Sequence, residues 1–98
     1  MRLPLLAAAM MIAAPAAAQT APTHSVRLAA APEQGRVVVR DVLWTCAGNS
    51  CTGGRSDSRP AIVCQSVARR FGAVDAFAVG DRVFDAAELE RCNGAAQR

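Results

Sequence analysis

The sequence contains no lysine and a single histidine, and only 4% of its 98 residues are aromatic. Its eleven basic residues are therefore all arginine, and the formal net charge is only +3. Domains that bind nucleic acid usually show a basic cluster or an aromatic platform for the bases. The longest basic run here is Arg69-Arg70. The composition therefore predicts a solvated basic surface and no nucleic-acid partner.

The scarcity of catalytic residue types also restricts the reactions that this chain could catalyse. The lone histidine, His24, lies among alanine, proline and small polar residues, so nothing is expected to fix it for a Ser–His–Asp site. Two carboxylates, Asp85 and Glu88, fit a helix cap, and no marked carboxylate pair remains for glycoside hydrolysis. The glycine-rich segment 52–55 lacks the lysine of a phosphate-binding loop. We therefore expect no enzyme, no catalytic residue and no cofactor.

The N-terminus has the three parts of a secretory signal. Arg2 gives a positive start, residues 3–14 are almost entirely apolar, and residues 16–18 are small, as a cleavage site requires. The apolar run is shorter than the ~20 residues that cross a bilayer. We predict a signal peptide over residues 1–18, cleavage before Gln19, and a product in the periplasm or secreted, without a membrane span.

The rest of the chain divides by composition into three segments. Residues 19–35 are rich in alanine and proline and are predicted to form a flexible arm. Residues 36–94 carry the β-branched and periodic apolar patterns of a compact domain, and residues 95–98 are expected to fray. We predict one small α+β domain, stabilised by disulfides and built as hairpin, helix, hairpin and short helix.

The first hairpin and helix follow from turn and cap residues. Residues 36–44 are valine-rich and predict one strand, but both of its faces are apolar, so either could face the core. A Gly48-Asn49 turn returns the chain. Ser58 is the predicted cap of a helix that ends at Gly72. Its apolar stripe comprises Pro60, Val63, Cys64, Val67, Ala68 and Phe71.

The second hairpin and helix have sharper signals. Residues 74–79 predict a strand, and Gly80-Asp81 suits a two-residue turn with glycine first. Asp85 and Glu88 form the pattern of a capping box, and the helix that follows should end near Asn93-Gly94.

Four cysteines in a short exported chain predict a disulfide framework. Three pairings are possible, and local spacing favours Cys46–Cys51 across the hairpin turn with Cys64–Cys92 between the helices. A zinc site would use closer cysteine pairs. A thiol oxidoreductase would place C-x-x-C at a helix N-terminus. We therefore expect no metal, and both pairs to be structural.

The loop from residue 53 to residue 59 is the candidate contact surface. It carries Asp57 and two arginines, Arg55 and Arg59, and the arginines suit an acidic ligand or partner. The alternative is a solvated loop without a binding role.

Several motifs together resemble a known group of proteins. They are Trp44-Thr45-Cys46, Cys51-Thr52, Ser58-Arg59-Pro60 with Cys64 four residues later, and Cys92-Asn93-Gly94. Over residues 36–94 the chain resembles a family of small exported alphaproteobacterial proteins of unknown function with four cysteines. The resemblance implies a location in the cell envelope and supplies no activity.

The sequence thus predicts a monomeric, non-enzymatic binding or structural protein whose partner is an unidentified envelope component. One alternative is a thiol-redox or metal-handling periplasmic protein. Another is an exported hydrolase inhibitor that presents the loop closed by Cys46 and Cys51.

Overall fold

The computed structural model describes residues 23–97. The predicted signal peptide, residues 19–22 and Arg98 lie outside the described residues. Six antiparallel strands form one sheet in the order β2-β3-β4-β1-β5-β6. The strands are β1 (His24–Leu28), β2 (Arg36–Val39), β3 (Val42–Ala47), β4 (Ser50–Gly53), β5 (Val74–Val79) and β6 (Arg82–Val83).

Two helices, α1 (Pro60–Phe71) and α2 (Ala86–Gly94), complete the fold with a 3₁₀ turn at Ala95–Gln97. Both helices contribute to the one core formed on a single face of the sheet. The α+β class of a small disulfide-stabilised domain is confirmed. The predicted order of hairpin, helix, hairpin and short helix holds from β3 to α2.

Strand β1 lies within the segment predicted to be a flexible arm, and here the structure differs from the prediction. Its residues pair with β4 on one side and β5 on the other, so it joins the two halves of the sheet. His24, Val26 and Leu28 are buried, whereas Ser25 and Arg27 are exposed. This strict alternation is the signature of a half-buried strand. It was obscured by the alanines and prolines that surround it.

The segment 36–44 is not one strand but a hairpin of β2 and β3. The chain turns at Arg40-Asp41, and Arg40 adopts the left-handed conformation with φ of 57°. Neither residue is glycine or asparagine, so the usual signal of such a turn is missing. The turn places Val39 opposite Val42 and Val37 opposite Trp44 on the buried face.

Helix α1 carries the predicted stripe, with Val63, Cys64, Val67 and Ala68 buried and Phe71 half-buried. The helix ends at Gly72, as predicted, and Gly72 has a φ of 101°. The cap differs, because Arg59 is the N-cap residue and makes no side-chain cap bond. Ser58 instead donates its backbone N–H to Ser56 Oγ at 3.0 Å.

Helix α2 begins with the predicted capping box between Asp85 and Glu88. Near its end, the Asn93 amide forms two hydrogen bonds with the backbone of Val74: Oδ1 accepts from its N–H at 2.7 Å and Nδ2 donates to its carbonyl at 2.9 Å. The predicted frayed tail is ordered from Ala95 to Gln97, because Ala95 is buried against the core beside α1.

Between residues 23 and 97, no helix is long and apolar enough to cross a membrane.

Candidate functional site

The predicted contact loop lies at the surface between β4 and α1. Arg55, Asp57 and Arg59 are all exposed. Arg55 Nη2 and Asp57 Oδ1 are 4.0 Å apart, with side chains 73% and 92% exposed. An ion pair of this length and exposure contributes little to stability. Both side chains are therefore available to solvent and to any partner.

The backbone of this loop is held at two points. The carbonyl of Gly54 accepts a hydrogen bond from Nδ1 of the buried His24 at 2.7 Å. The hydroxyl of Ser56 donates to both carboxylate oxygens of Asp41, at 3.0 and 3.2 Å. The loop is thus fastened to strand β1 and to the turn between β2 and β3. Its charged side chains extend from a fixed backbone.

The Ser56–Asp41 contact does not create a reactive serine. The hydrogen bond from Ser56 lowers the pKa of Asp41 below its ordinary value of 3.8. A carboxylate made less basic in this way is a poorer general base. The pair is better described as a tether between the two turns. An open depression of about 360 Å³ lies beside it, lined by Asp41, Arg55, Ser56 and Asp57.

Ser56→Ala is expected to raise the pKa of Asp41 towards its ordinary value. In the wild type, the Ser56–Asp41 hydrogen bond contributes fully to the free energy of unfolding when the pH is above the ordinary pKa of Asp41. This contribution is lost as the pH falls through the lowered pKa, because protonation removes the charged acceptor. NMR titration of the Asp41 carboxyl carbon measures the shift, with Ser58→Ala as a matched control that keeps the Ser56 hydroxyl. An Asp41 titration that is the same in wild type and Ser56→Ala would contradict the assignment.

His24 is a core residue in the structure. Its ring centroid lies 5.9 Å from that of Trp44 and 6.0 Å from that of Phe77. With Nδ1 bonded to Gly54, the ring connects the core to the contact loop. Burial and this bond explain the residue without a catalytic role.

The four cysteines form the two favoured pairs. Cys46–Cys51 joins neighbouring positions of β3 and β4, and Cys64–Cys92 joins α1 to α2. Cys51, Cys64 and Cys92 are buried, and Cys46 is half-buried. Within residues 23–97, no group of three or more His, Cys, Asp or Glu residues is arranged to hold a metal ion.

A second candidate surface, absent from the sequence-based prediction, is the face of the sheet opposite the helices. We call it the open face. By register and burial it comprises Ser25, Arg27, Arg36, Val38, Leu43, Thr45, Ala47, Ser50, Thr52, Ala76, Ala78 and Val83. Sequence patterning could not assign it, because the apolar residues of β2 and β3 occupy both faces.

The open face carries small side chains at its centre and exposed aliphatic side chains towards its edges. Val38 and Leu43 are cross-strand partners, 64% and 44% exposed, and Val83 on the far edge is 70% exposed. Between them, small side chains leave a shallow groove of about 230 Å³ across β4, β1, β5 and β6. Val38 and Leu43 form a contiguous exposed aliphatic pair, and Val83 is separate from it. Exposed aliphatic side chains that adjoin one another are typical of an interaction surface.

Comparison with known proteins gives a single result. No curated protein and no solved structure matches the chain. The profile of one family matches residues 5–94, which is nearly the whole sequence. The chain therefore belongs to the family of unknown function DUF8200.

Proposed function

We propose that this chain is an exported binding protein of the cell envelope that docks a partner protein on the open face of its sheet. The observation that carries the proposal is the asymmetry of the sheet. Both helices pack on one face, while the other leaves Val38, Leu43 and Val83 exposed. Aliphatic side chains of this kind gain free energy when a partner covers them.

Two features support an extracytoplasmic location. The order of a positive start, an apolar run and small residues up to position 18 is that of a cleaved signal peptide. Two disulfides, one of them wholly buried, are compatible with an oxidising compartment. The resemblance to exported alphaproteobacterial proteins points to the periplasm or the cell exterior.

The contact loop is a second part of the same proposal. Arg55, Asp57 and Arg59 are exposed on a backbone that His24 and Asp41 hold in place. A fixed loop loses less conformational entropy on binding than a mobile one. The loop therefore suits a contact at the rim of the interface.

Site-specific photocrosslinking in the native cells tests the proposal. A benzophenone side chain replaces Thr45 on the open face, and a matched probe replaces Ala87, an exposed residue of α2. We expect a crosslinked adduct when the probe is at position 45 and none when it is at position 87. We also expect the mass of the protein to show cleavage before Gln19. Adducts of equal yield at both positions, or no adduct at position 45, would refute docking on the open face. An uncleaved chain would refute export.

A further inference from the structure

We infer that the partner of the open face is an acidic protein surface, an inference that rests on the proposed function. The first observation is the charge on this face. At its paired positions the charged residues are Arg27 on β1 and Arg36 on β2, and both are exposed. No paired position of the open face carries a carboxylate.

This separation of charge is a property of the fold and not of the composition. The described chain contains eight carboxylates, which lie in loops, in turns, in α2 and in the irregular position of β5. They are Glu33, Asp41, Asp57, Asp75, Asp81, Asp85, Glu88 and Glu90. Asp75 lies at the irregularity that separates the paired residues Val74 and Ala76. Asp75 is exposed beside Ala76, the cross-strand partner of Arg27, but the ion pairs within 4.0 Å among the described residues include neither Arg27 nor Arg36.

The positions of the two arginines set the spacing of their partners. Arg36 lies on β2, the edge strand, where it pairs with Thr45 of β3. Arg27 lies on β1, which is three strands further into the sheet. Strands are spaced about 4.8 Å apart, so these two strands are about 14 Å apart. Such an arrangement suits an extended surface that carries two acidic groups, each paired with one guanidinium.

The groups between the arginines favour a protein over an acidic glycan. Thr45, Thr52 and Ser25 form a row of hydroxyls across three strands, and the exposed Val38–Leu43 pair lies beside Arg36. A protein can cover the aliphatic pair with its own apolar side chains. Sugars bind best by stacking on aromatic rings, and the four aromatic residues are in the core or on α1.

The same charges disfavour a second copy of this chain as the partner. Two open faces brought together would place four arginines in one interface, and neither face offers a carboxylate at a paired position. Like charges brought together across an interface disfavour association. The partner that complements this face is therefore a different protein.

Charge reversal tests the inference in the same crosslinking assay. Arg27→Glu with Arg36→Glu is compared with Arg69→Glu with Arg70→Glu, which changes the net charge equally on exposed residues of α1. Thermal unfolding shows that each variant is folded. We expect the adduct at position 45 to fall by about tenfold or more in the open-face variant, because both charge pairs become repulsive. The α1 variant should retain it, and the crosslinked peptide should be rich in Asp and Glu.

The outcomes separate the two proposals. An adduct that persists in the folded open-face variant would overturn the acidic partner and leave docking on the open face intact. An adduct that resists protease, or that carries a glycan or lipid mass, would overturn the assignment to a protein. Absence of any adduct at position 45 in the wild-type background would overturn the proposed function, and the inference with it.

Discussion

Replacing Cys64 and Cys92 together by alanine is expected to lower the free energy of unfolding by about 3.5 kcal/mol. The bridge closes a loop with a sequence separation of 28, so its loss frees a long stretch of the unfolded chain. Both residues are buried where α1 meets α2. A domain this small has little reserve stability, so urea denaturation should show a large loss or no folded state.

The second bridge is the matched control. Cys46 and Cys51 are separated by only five positions, and the same chain-entropy argument gives about 2 kcal/mol for their removal. The double alanine variant at these positions should therefore remain folded and lose less stability. An equal loss for both pairs, or the reverse order, would contradict the account.

Stepwise reduction separates a structural role from a redox one. Cys46 is half-buried, whereas Cys64 and Cys92 are buried, so mild reductant should reduce the hairpin pair first, and an added alkylating agent should then label its thiols. Peptide mapping after alkylation measures the order. If the hairpin pair is reduced at the potential of a thiol-exchange protein, a redox function becomes the leading alternative. If both pairs resist, they act as structural links.

Gly53→Ala is expected to lower the free energy of unfolding by about 1–3 kcal/mol, because the site is already filled. Gly53 lies opposite Trp44 in the sheet. An added Cβ would lie 2.8 Å from Cζ3 of Trp44 and 2.8 Å from Cγ1 of Val42. Real Cβ atoms do not approach side chains so closely, so the buried indole would have to move.

The neighbouring glycine provides the control. A Cβ on Gly54 would have no heavy atom within 4 Å, and its backbone is not in the left-handed region. Gly54→Ala should therefore change stability by no more than about 0.5 kcal/mol. Trp44 is the single tryptophan, so its fluorescence follows unfolding of both variants in urea. Equal stability of the two variants would show that the indole does not pack on Gly53.

The parts of the fold that the sequence predicted are those with local signals. The capping box of α2, the glycine that ends α1 and the two-residue turn at Gly80 depend on neighbours within four positions. The favoured disulfide pairing depended on the spacing of the cysteines around a hairpin turn and along two predicted helices. Each of these features can be recognised without knowledge of the rest of the molecule.

The features that were missed depend on the tertiary structure. The alternation of apolar or buried residues with exposed ones from His24 to Leu28 covers only five residues. This segment forms a strand because β4 and β5 pair with it on either side. The turn at Arg40 uses a residue that rarely adopts positive φ. Ser66 lies outside the predicted apolar stripe of α1 and is nevertheless buried, with its hydroxyl donating to the carbonyl of Ile62. The open face could be assigned only after these strands had been placed.

The candidate sites divide in the same way. The exposure of Arg55, Asp57 and Arg59 agrees with a contact loop, but their role in binding remains a prediction. The tether from Ser56 to Asp41 joins residues 15 positions apart and has no signature in the sequence. The charge asymmetry of the open face likewise arises from strand register.

The central position of β1 has a consequence for the order of assembly. Both of its neighbours come later in the chain, and the second, β5, ends only at Val79. Contacts between distant positions form slowly. A chain that crosses a membrane from its N-terminus delivers β1 first, but the sheet cannot close around it until most of the chain has followed. The topology therefore delays closure of the sheet until most of the chain is available, which suits the export in an unfolded form that we propose.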